Sequence, residues 1–277
     1  MRKLSFAVSL QKTRFGAIAF GDSFTTTVTE LKNLGYQGVE LAIRNPEEIE
    51  QEEVIETIQA ASLLVPAIGT GQAFLEEGLS LSSLEKEVRQ KAIERIKSHV
   101  LFAAPLGALV IIGLIRGNLP VENKDRNKAT EYLKESLLEC SFFAQKKGVR
   151  FVIEPLNRYE VNFLHTIKET VEFVTALGCP NVGVLADSFH MNIEEVDCYK
   201  SILKAKGLLW HFHIADSNRW APGFGHTDFM PFFQALRDIH YQGFISAEIL
   251  QKPSFLEAAK QTMSYFSQLY PGGYNTL

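Results

Sequence analysis

Residues 150–160 of the chain read RFVIEPLNRYE, and this stretch decides how the rest is interpreted. A short apolar run ends in the carboxylate of Glu154, Pro155 stops the strand, and a polar loop carries a second carboxylate, Glu160. A carboxylate at the end of a buried strand is costly to hold unless it binds a cation or takes part in acid–base chemistry. Taken alone, Glu154 is more simply a surface residue just past a strand. Its meaning therefore depends on whether other strands end in the same way.

Apolar runs of β type recur along the whole chain of 277 residues, and a segment with a helical pattern follows each of them. The eight runs are Leu4–Leu10, Gly38–Ile43, Val65–Thr70, Ala108–Leu114, Arg150–Leu156, Val182–Asp187, Leu209–Asp216 and Gly243–Leu250. Near-continuous apolar strands alternating with amphipathic helices predict a parallel sheet that is covered on its faces. Eight such units, with no Pro/Ser-rich linker between them, predict an α/β fold: one (β/α)₈ TIM barrel domain over residues 1–277.

An open doubly wound sheet is the alternative, and it is expected to carry a phosphate-binding GxGxxG motif after its first strand. The nearest stretch is GTGQAF, residues 69–74, which follows the third strand instead. It lacks the last glycine, and we interpret it as a loop with no helix directly behind it. The closed barrel is the better prediction.

Composition restricts the class of protein. The chain is 46% hydrophobic and 22% charged, its net charge is −4, and no Lys/Arg block dominates any segment. An acidic chain of this kind is a poor match for a nucleic-acid or anionic-membrane partner. No apolar run approaches the roughly 18 residues of a membrane span, and the N-terminal MRKLSFAVSLQK does not resemble a signal peptide. Three cysteines without a CxxC pair suit a reducing compartment, so we expect a cytoplasmic protein.

Polar side chains end each of the last four predicted strands, about one strand–helix unit apart: Glu154, Asp187, His213 and Glu248. In a barrel these strand ends meet at the mouth, where active sites lie. Three carboxylates sharing a pocket with an imidazole need a cation, and a mixed oxygen and nitrogen set suits Mn²⁺, Co²⁺ or Mg²⁺ better than a closed tetrahedral zinc site. Alone, His213 is more simply a core histidine and Asp187 a cap. Their coincidence at equivalent positions favours one divalent metal ion.

Four segments are similar to the signature segments of the D-tagatose/D-psicose 3-epimerases, ketose 3-epimerases of the xylose isomerase-like barrel superfamily. They are IEPLNRYE (153–160), ADSFHMNIEE (186–195), HFHIADSNRWAPGFGHTDF (211–229) and AEIL (247–250). The resemblance implies that Glu154, Asp187, His213 and Glu248 bind one metal ion, usually Mn²⁺ or Co²⁺. It also implies that Glu160, His190 and Arg219 position the substrate near O1–O3. Related enzymes are often homodimers or homotetramers.

The chemistry of a ketose 3-epimerase explains these residue types. A proton is removed from C3, next to the C2 carbonyl, and returned on the opposite face through a cis-enediolate that a divalent metal stabilises. Two carboxylates on opposite faces can exchange the roles of base and acid, and Glu154 and Glu248 are the candidates. Simpler interpretations exist for the other residues: Glu160 pairing with Arg158, or His190 merely packing.

Several alternatives stay open at this point. L-ribulose-5-phosphate 3-epimerases share the fold and metal set, and Arg116 could meet a phosphate, while Gln72 could hydrogen-bond a sugar hydroxyl. Hydroxypyruvate isomerase and inosose dehydratase are related sugar-enzyme alternatives. An endonuclease IV-like enzyme needs extra histidines at the third and fourth strand ends, which read IGT and IGL here. A barrel that binds sugar without turnover is the last alternative, and the intact pair Glu154 and Glu248 argues against it.

Two further polar residues have no assigned role. Glu40 ends the second predicted strand and could support a metal ligand from behind. His211 points the same way as His213 but deeper into the barrel, because side chains two residues apart lie on one face of a strand.

Overall fold

Eight parallel strands close into a barrel in the computed structural model, which describes residues 3–19 and 23–269. Neighbours in the chain pair in order, and the last strand pairs back to the first. The strands are β1 (Leu4–Ser9), β2 (Gly38–Ala42), β3 (Ala67–Gly69), β4 (Leu109–Ile112), β5 (Phe151–Ile153), β6 (Val182–Asp187), β7 (Leu209–Ile214) and β8 (Ile245–Ala247). The prediction of a (β/α)₈ barrel is confirmed.

Ten α-helices lie in the described part of the chain. They are α1 (Phe24–Asn33), α2 (Gln51–Ala60), α3 (Gly71–Glu77), α4 (Lys86–Leu106), α5 (Asn123–Lys146), α6 (Ile167–Leu177), α7 (Ser188–Glu194), α8 (Cys198–Lys204), α9 (Met230–Asp238) and α10 (Phe255–Leu269). Short 3₁₀ turns occupy Pro46–Glu48 and Leu114–Arg116. None of the described helices is long and apolar enough to cross a membrane.

Local signals define the helix ends. In α6, the Thr166 side chain accepts from the Glu169 amide while the Glu169 carboxylate accepts from the Thr166 amide, a capping box that satisfies two free N–H groups. The same helix ends at Gly178, whose φ of +71° is a left-handed conformation that glycine adopts without a Cβ penalty.

Two helix predictions were wrong in detail. The sequence pattern over Glu194–Lys206 predicts a single helix, but α7 ends at Glu194 and Asp197 caps the separate helix α8 by accepting from the Lys200 amide at 3.0 Å. The stretch GTGQAF was expected to be a loop, but α3 begins at Gly71 within it. The glycines of this stretch suggest a loop. The residues that follow them, Ala-Phe-Leu-Glu-Glu, favour a helix and extend it.

The barrel interior has its own apolar cluster, separate from the larger core between strands and helices. Its buried members are Ala67, Leu109, Ile111, Val152 and Leu185, with Trp210 packed against them. A Cβ at Gly183 would come 2.4 Å from the Trp210 ring, so the indole occupies space that only a glycine leaves. Bulky groups therefore fill the lower barrel, and the polar side chains are left at the upper, C-terminal ends of the strands. The expectation of one domain over residues 1–277 stays a prediction, because residues 1–2, 20–22 and 270–277 lie outside the described part.

Candidate metal centre and active site

Four side chains from consecutive strands converge at the barrel mouth. One donor atom each from Glu154, Asp187, His213 and Glu248 lies within 4.8 Å of all the others. His213 Nδ1 is central, at 3.5 Å from Glu154 Oε1, 4.0 Å from Asp187 Oδ2 and 4.0 Å from Glu248 Oε2. These separations are those of atoms that share one central ion rather than of directly bonded partners. The structure thus brings together all four residues predicted from their strand ends.

Three of the four donor atoms have no other partner among the described residues, and this tests whether a metal fits the site. Glu154 Oε1, Asp187 Oδ2 and His213 Nδ1 are buried and form no hydrogen bond. A buried polar atom without a partner costs about 1–3 kcal/mol, and native proteins rarely leave three at one point. Oxygen and imidazole donors that face one another in this way match a divalent cation such as Mn²⁺, Co²⁺ or Mg²⁺.

Backbone features hold two of the carboxylates in place. A Cβ at Gly113, directly after β4, would come 2.8 Å from Glu154 Oε2, so the carboxylate needs a glycine as its neighbour. Asp187 uses its other oxygen, Oδ1, to accept from the Phe189 amide at 2.7 Å at the start of α7. The Asp187 cap that the sequence suggested as a simpler reading is thus present, and the second oxygen is still free to face the cluster.

Glu40 supports His213 from the opposite side of the barrel. Its carboxylate lies 3.0 Å (Oε1) from His213 Nε2 and 2.6 Å (Oε2) from His211 Nε2, with all three side chains buried. An imidazole that donates Nε2–H to a carboxylate keeps its Nδ1 lone pair free, which is the form that binds a metal. Glu40 therefore sets the tautomer of His213, and His211 shares the same carboxylate oxygen, Oε2, as its hydrogen-bond partner.

Without a cation to neutralise the cluster, its buried groups Asp187 and His213 favour their protonated forms. Burial raises the pKa of Asp187 to about 7, although the positive charges of His213 and Arg219 oppose it. Burial alone lowers the pKa of His213, but the charge of Glu40 and the nearby carboxylates outweigh it, and the pKa lies well above its ordinary value. Burial acts to raise the pKa of Glu40, yet the two imidazoles bring it below the ordinary value. A divalent ion would replace the protons on Asp187 and His213.

Arg219 connects two carboxylates at the rim of the cluster. It donates from Nη1 to Glu160 Oε1 at 2.9 Å and from Nη2 to Glu248 Oε2 at 2.8 Å. The rings of Phe15 and Phe189 lie on the guanidinium, each with its centroid 4.8 Å from Cζ. The Arg219 backbone has φ +60°, a strained conformation for a residue with a side chain, of the kind that clusters at functional sites. The suggested pairing of Glu160 with Arg158 does not occur, because Arg158 bonds Glu194 instead.

His190 presents a single donor to the site. Its Nδ1 accepts from the Asn157 backbone amide at 3.3 Å and from Asn157 Nδ2 at 2.8 Å, so the ring hydrogen is on Nε2. Nε2 is buried without a partner, 3.7 Å from Asp187 Oδ2. Burial first, and then the charge of Arg219, keep the pKa of His190 well below its ordinary value. The ring is therefore neutral and can donate one hydrogen bond to a bound molecule.

A cavity opens beside the cluster and extends across the barrel mouth. Its lining includes Glu154, Glu160, Arg219 and Glu248 on one side and residues that follow β1, β3 and β4 on the other: Phe15, Ile18, Thr70, Gln72, Leu75 and Leu114.

Arg116 is not available to a ligand phosphate through its terminal nitrogens. The side chain is fully buried and donates to four backbone carbonyls, those of Gly113, Glu154, Phe163 and Leu164. Burial lowers the pKa of Arg116 to about 10, against the opposing charge of Glu154. It acts as a structural bridge between the loops after β4 and β5.

Sequence reasoning missed or left unassigned three contributors: Glu40, Asn157 and Phe15. Glu40 carried a signal, a carboxylate at the inward position of an apolar strand, but its partners lie on the far side of the barrel. Asn157 and Phe15 sit in loops, where no periodicity shows the direction of a side chain.

Comparison with known proteins agrees with the fold. The family model described as "Xylose isomerase-like TIM barrel" matches residues 28–269. A D-psicose 3-epimerase of Agrobacterium fabrum is 33% identical over 235 residues, 81% of this chain and 78% of the relative. A probable ketose 3-epimerase of Synechocystis sp. is 29% identical over 184 residues, and that match spans only 61% of the relative's length. The crystal structure of a D-allulose 3-epimerase from Methylomonas sp. in complex with D-allulose has the same fold, with a TM-score of 0.82 at 23% identity and 97% coverage of both chains.

Proposed function

Because the chain belongs to the xylose isomerase-like TIM barrel family, and within it to the ketose 3-epimerases, we propose that it is a metal-dependent ketose 3-epimerase, an isomerase that acts on ketoses of the D-tagatose, D-psicose and D-fructose type. The observation that carries the proposal is the convergence of four donor atoms within 4.8 Å of one another, two of them from glutamates at the ends of separate strands. This arrangement suits proton transfer at a carbon next to a carbonyl.

Glu154, Asp187, His213 and Glu248 would hold one divalent ion, and Mn²⁺ is the ion we propose. Mixed carboxylate and imidazole donors at a partly open mouth favour Mn²⁺, Co²⁺ or Mg²⁺ over structural zinc. When bound, the ion supplies a Lewis acid that polarises the substrate carbonyl and a template that orients the sugar. The three carboxylates outweigh the charge of a divalent ion by one, so one of them can take up a proton.

Glu154 and Glu248 are the proposed acid–base pair. They reach the site from β5 and β8, with β6 and β7 between them, and so approach a bound sugar from different sides. One carboxylate removes the proton from C3, and the other returns a proton on the opposite face. Arg219 holds the Glu248 carboxylate from outside the cluster at 2.8 Å, which keeps its orientation while its proton changes.

Glu160, His190 and Arg219 are proposed to position the substrate near O1–O3. His190 offers Nε2–H next to Asp187, where it can donate to a sugar oxygen. Arg219 offers fixed positive charge close to the oxygen that becomes negative as C3 loses its proton. Glu160 is held by Arg219 at 2.9 Å and by Asn157 Nδ2 at 3.0 Å, so it can accept from a hydroxyl without turning.

An endonuclease IV-like activity has no support at the strand ends. β3 is followed by Thr70 and β4 by Gly113, where a trinuclear zinc site would need histidines. The second acidic and imidazole group in the described chain, Glu40 with His211 and His213, is already connected by hydrogen bonds.

The test is proton exchange at C3. Protein loaded with Mn²⁺ and incubated with D-fructose or D-tagatose in D₂O should place deuterium at C3 and form the C3 epimer. Glu154→Gln and Glu248→Gln should each lower the exchange rate by at least about 100-fold, the usual contribution of a general acid or base. Metal content and sugar binding are measured in parallel, so that lost chemistry is separated from lost metal.

Glu131→Gln is the matched control, because Glu131 is exposed on α5 and pairs only with a neighbouring lysine. It should exchange at the wild-type rate. Absence of C3 exchange on every free or phosphorylated ketose by metal-loaded wild-type protein would refute the proposed function. Unchanged exchange in either glutamine variant would refute the assigned role of that glutamate.

A further inference from the structure

Gln72 is a buried amide at the end of the cavity that faces the metal cluster. It is the second residue of α3, only 2% exposed, and it lines the same cavity as Glu154 and Glu248. The strand before it, β3, lies across the closed barrel from β7, which carries His213. A ketose with C2 and C3 at the cluster therefore extends its remaining carbons toward Gln72.

Ser9 determines which way the Gln72 amide points. Ser9 Oγ donates its single hydrogen to the Gln11 carbonyl at 2.5 Å and thus can only accept from Gln72 Nε2, which lies 2.7 Å away. The amide nitrogen of Gln72 is therefore on the Ser9 side, and Oε1 points away from it. That oxygen is buried and has no hydrogen-bond partner among residues 3–19 and 23–269. Its orientation follows from the hydrogen-bond network rather than from a choice between two equivalent rotamers.

Several described residues that line the same cavity are apolar or already hydrogen-bonded. Leu75 and Leu114 form apolar lining, and the Thr70 hydroxyl is occupied, since it donates to the Ile111 carbonyl at 2.7 Å. A buried acceptor without a partner is unfavourable, because it has lost its hydrogen bond to water. A ligand that brings a hydroxyl hydrogen to Oε1 restores that bond.

We propose that Gln72 Oε1 accepts a hydrogen bond from one hydroxyl of the C4–C6 end of the substrate and that this acceptor selects free ketoses against ketoses phosphorylated at that end. The identity of the substrate rests on the proposed epimerase function. A phosphate dianion has only acceptor oxygens, so it cannot satisfy Oε1 and is repelled by it. Arg219, the cation in the described cavity lining, is paired with Glu160 and Glu248, and the terminal nitrogens of Arg116 donate to backbone carbonyls.

The experiment compares D-fructose with its 4-deoxy, 5-deoxy and 6-deoxy analogues and with D-fructose 6-phosphate. Binding is measured by calorimetry on metal-loaded and on metal-free protein, and kcat/KM is measured where turnover occurs. Wild-type protein should bind one deoxy analogue and the phosphate roughly ten- to a hundredfold more weakly than D-fructose. Gln72→Met should lower the affinity for D-fructose by a similar factor and abolish the preference over that analogue. Ser9→Ala, which frees the amide to rotate, should reduce the preference without abolishing it.

Gln90→Met is the control, because Gln90 is an exposed glutamine on α4 that bonds only Glu94. It should keep the wild-type preference. Equal binding of all analogues by wild-type protein, tighter binding of the phosphate, or an equal loss on every analogue in Gln72→Met would overturn the proposal. The wild-type comparisons need no substitution, so folding of the variants does not affect them. If the protein discriminates between the analogues but shows no C3 exchange, the Gln72 site stands and the epimerase proposal fails. If it shows C3 exchange but no discrimination, the epimerase proposal stands and the Gln72 proposal fails.

Discussion

Replacing Glu40 by glutamine should weaken metal binding although Glu40 is not one of the four proposed ligands. One oxygen, Oε2, accepts from two imidazoles, His211 Nε2 at 2.6 Å and His213 Nε2 at 3.2 Å, and the other oxygen, Oε1, lies 3.0 Å from His213 Nε2. Glutamine places an NH₂ group at one of these two positions, so in either orientation a donor lies against His213 Nε2–H, and the negative charge that attracts it is lost. His213 relieves this by moving its hydrogen to Nδ1. There the hydrogen would occupy the lone pair that faces the cluster.

The magnitude follows from the burial of the three side chains. Losing one partner of a buried, charge-assisted network destabilises metal-free protein by about 3 kcal/mol. Partners that orient a metal-binding histidine typically contribute about 10- to 100-fold in metal affinity. We therefore expect Glu40→Gln to raise the Kd for Mn²⁺ by about that factor and to lower the free energy of unfolding of the metal-free protein.

The assay is calorimetric titration of metal-free protein with Mn²⁺, together with urea denaturation. Glu131→Gln, the same substitution on the surface of α5, provides the control for charge alone. A Kd for Mn²⁺ within twofold of wild type in a folded Glu40→Gln protein would contradict the reasoning. It would mean that His213 keeps its tautomer without the carboxylate.

Three further predictions concern the same mouth of the barrel. Metal affinity should fall as pH is lowered from about 8 to 6, because Asp187, with its pKa raised to about 7, and His213, with a raised pKa, then hold protons that the ion must displace. Calorimetry in buffers of different ionisation enthalpy should show proton release on metal binding, and binding without proton release would contradict the prediction. Arg219→Lys should lower kcat/KM by roughly ten- to a hundredfold, because an ammonium cannot bridge two carboxylates between two aromatic rings. Steady-state kinetics at saturating Mn²⁺ test this, and a wild-type kcat/KM in the Arg219→Lys protein would contradict it. Arg116→Met should lower the free energy of unfolding by about 3 kcal/mol in urea denaturation, since four backbone carbonyls lose their donor. A decrease below about 0.5 kcal/mol would contradict this and would show that water replaces the guanidinium.

The chain itself carries enough local information to predict the barrel and the convergence of the ligands. Alternation of apolar strands with amphipathic helices, and glycines at helix ends such as Gly178, depend on residues close in sequence. Once eight such units are counted, closure brings the strand ends together, so Glu154 and Glu248 could be placed at one mouth before any coordinates were known. The distance between these two carboxylates, and which of their oxygens lack a hydrogen bond, could not be predicted from the sequence.

Tertiary structure alone decided what each polar group does there. Glu40 and His213 are far apart in the chain, and they meet only because closure of the barrel leaves just β8 and β1 between β7 and β2. Arg116 looked like a phosphate ligand in sequence, yet it spans two loops as a buried bridge. Gln72 stood in a stretch predicted to be a loop, but it lies on α3, where its amide nitrogen bonds Ser9 and its oxygen has no hydrogen-bond partner among the described residues. Periodicity shows which way a side chain points along its own strand or helix, whereas its hydrogen-bond partner depends on register and closure between distant segments, which local sequence does not encode.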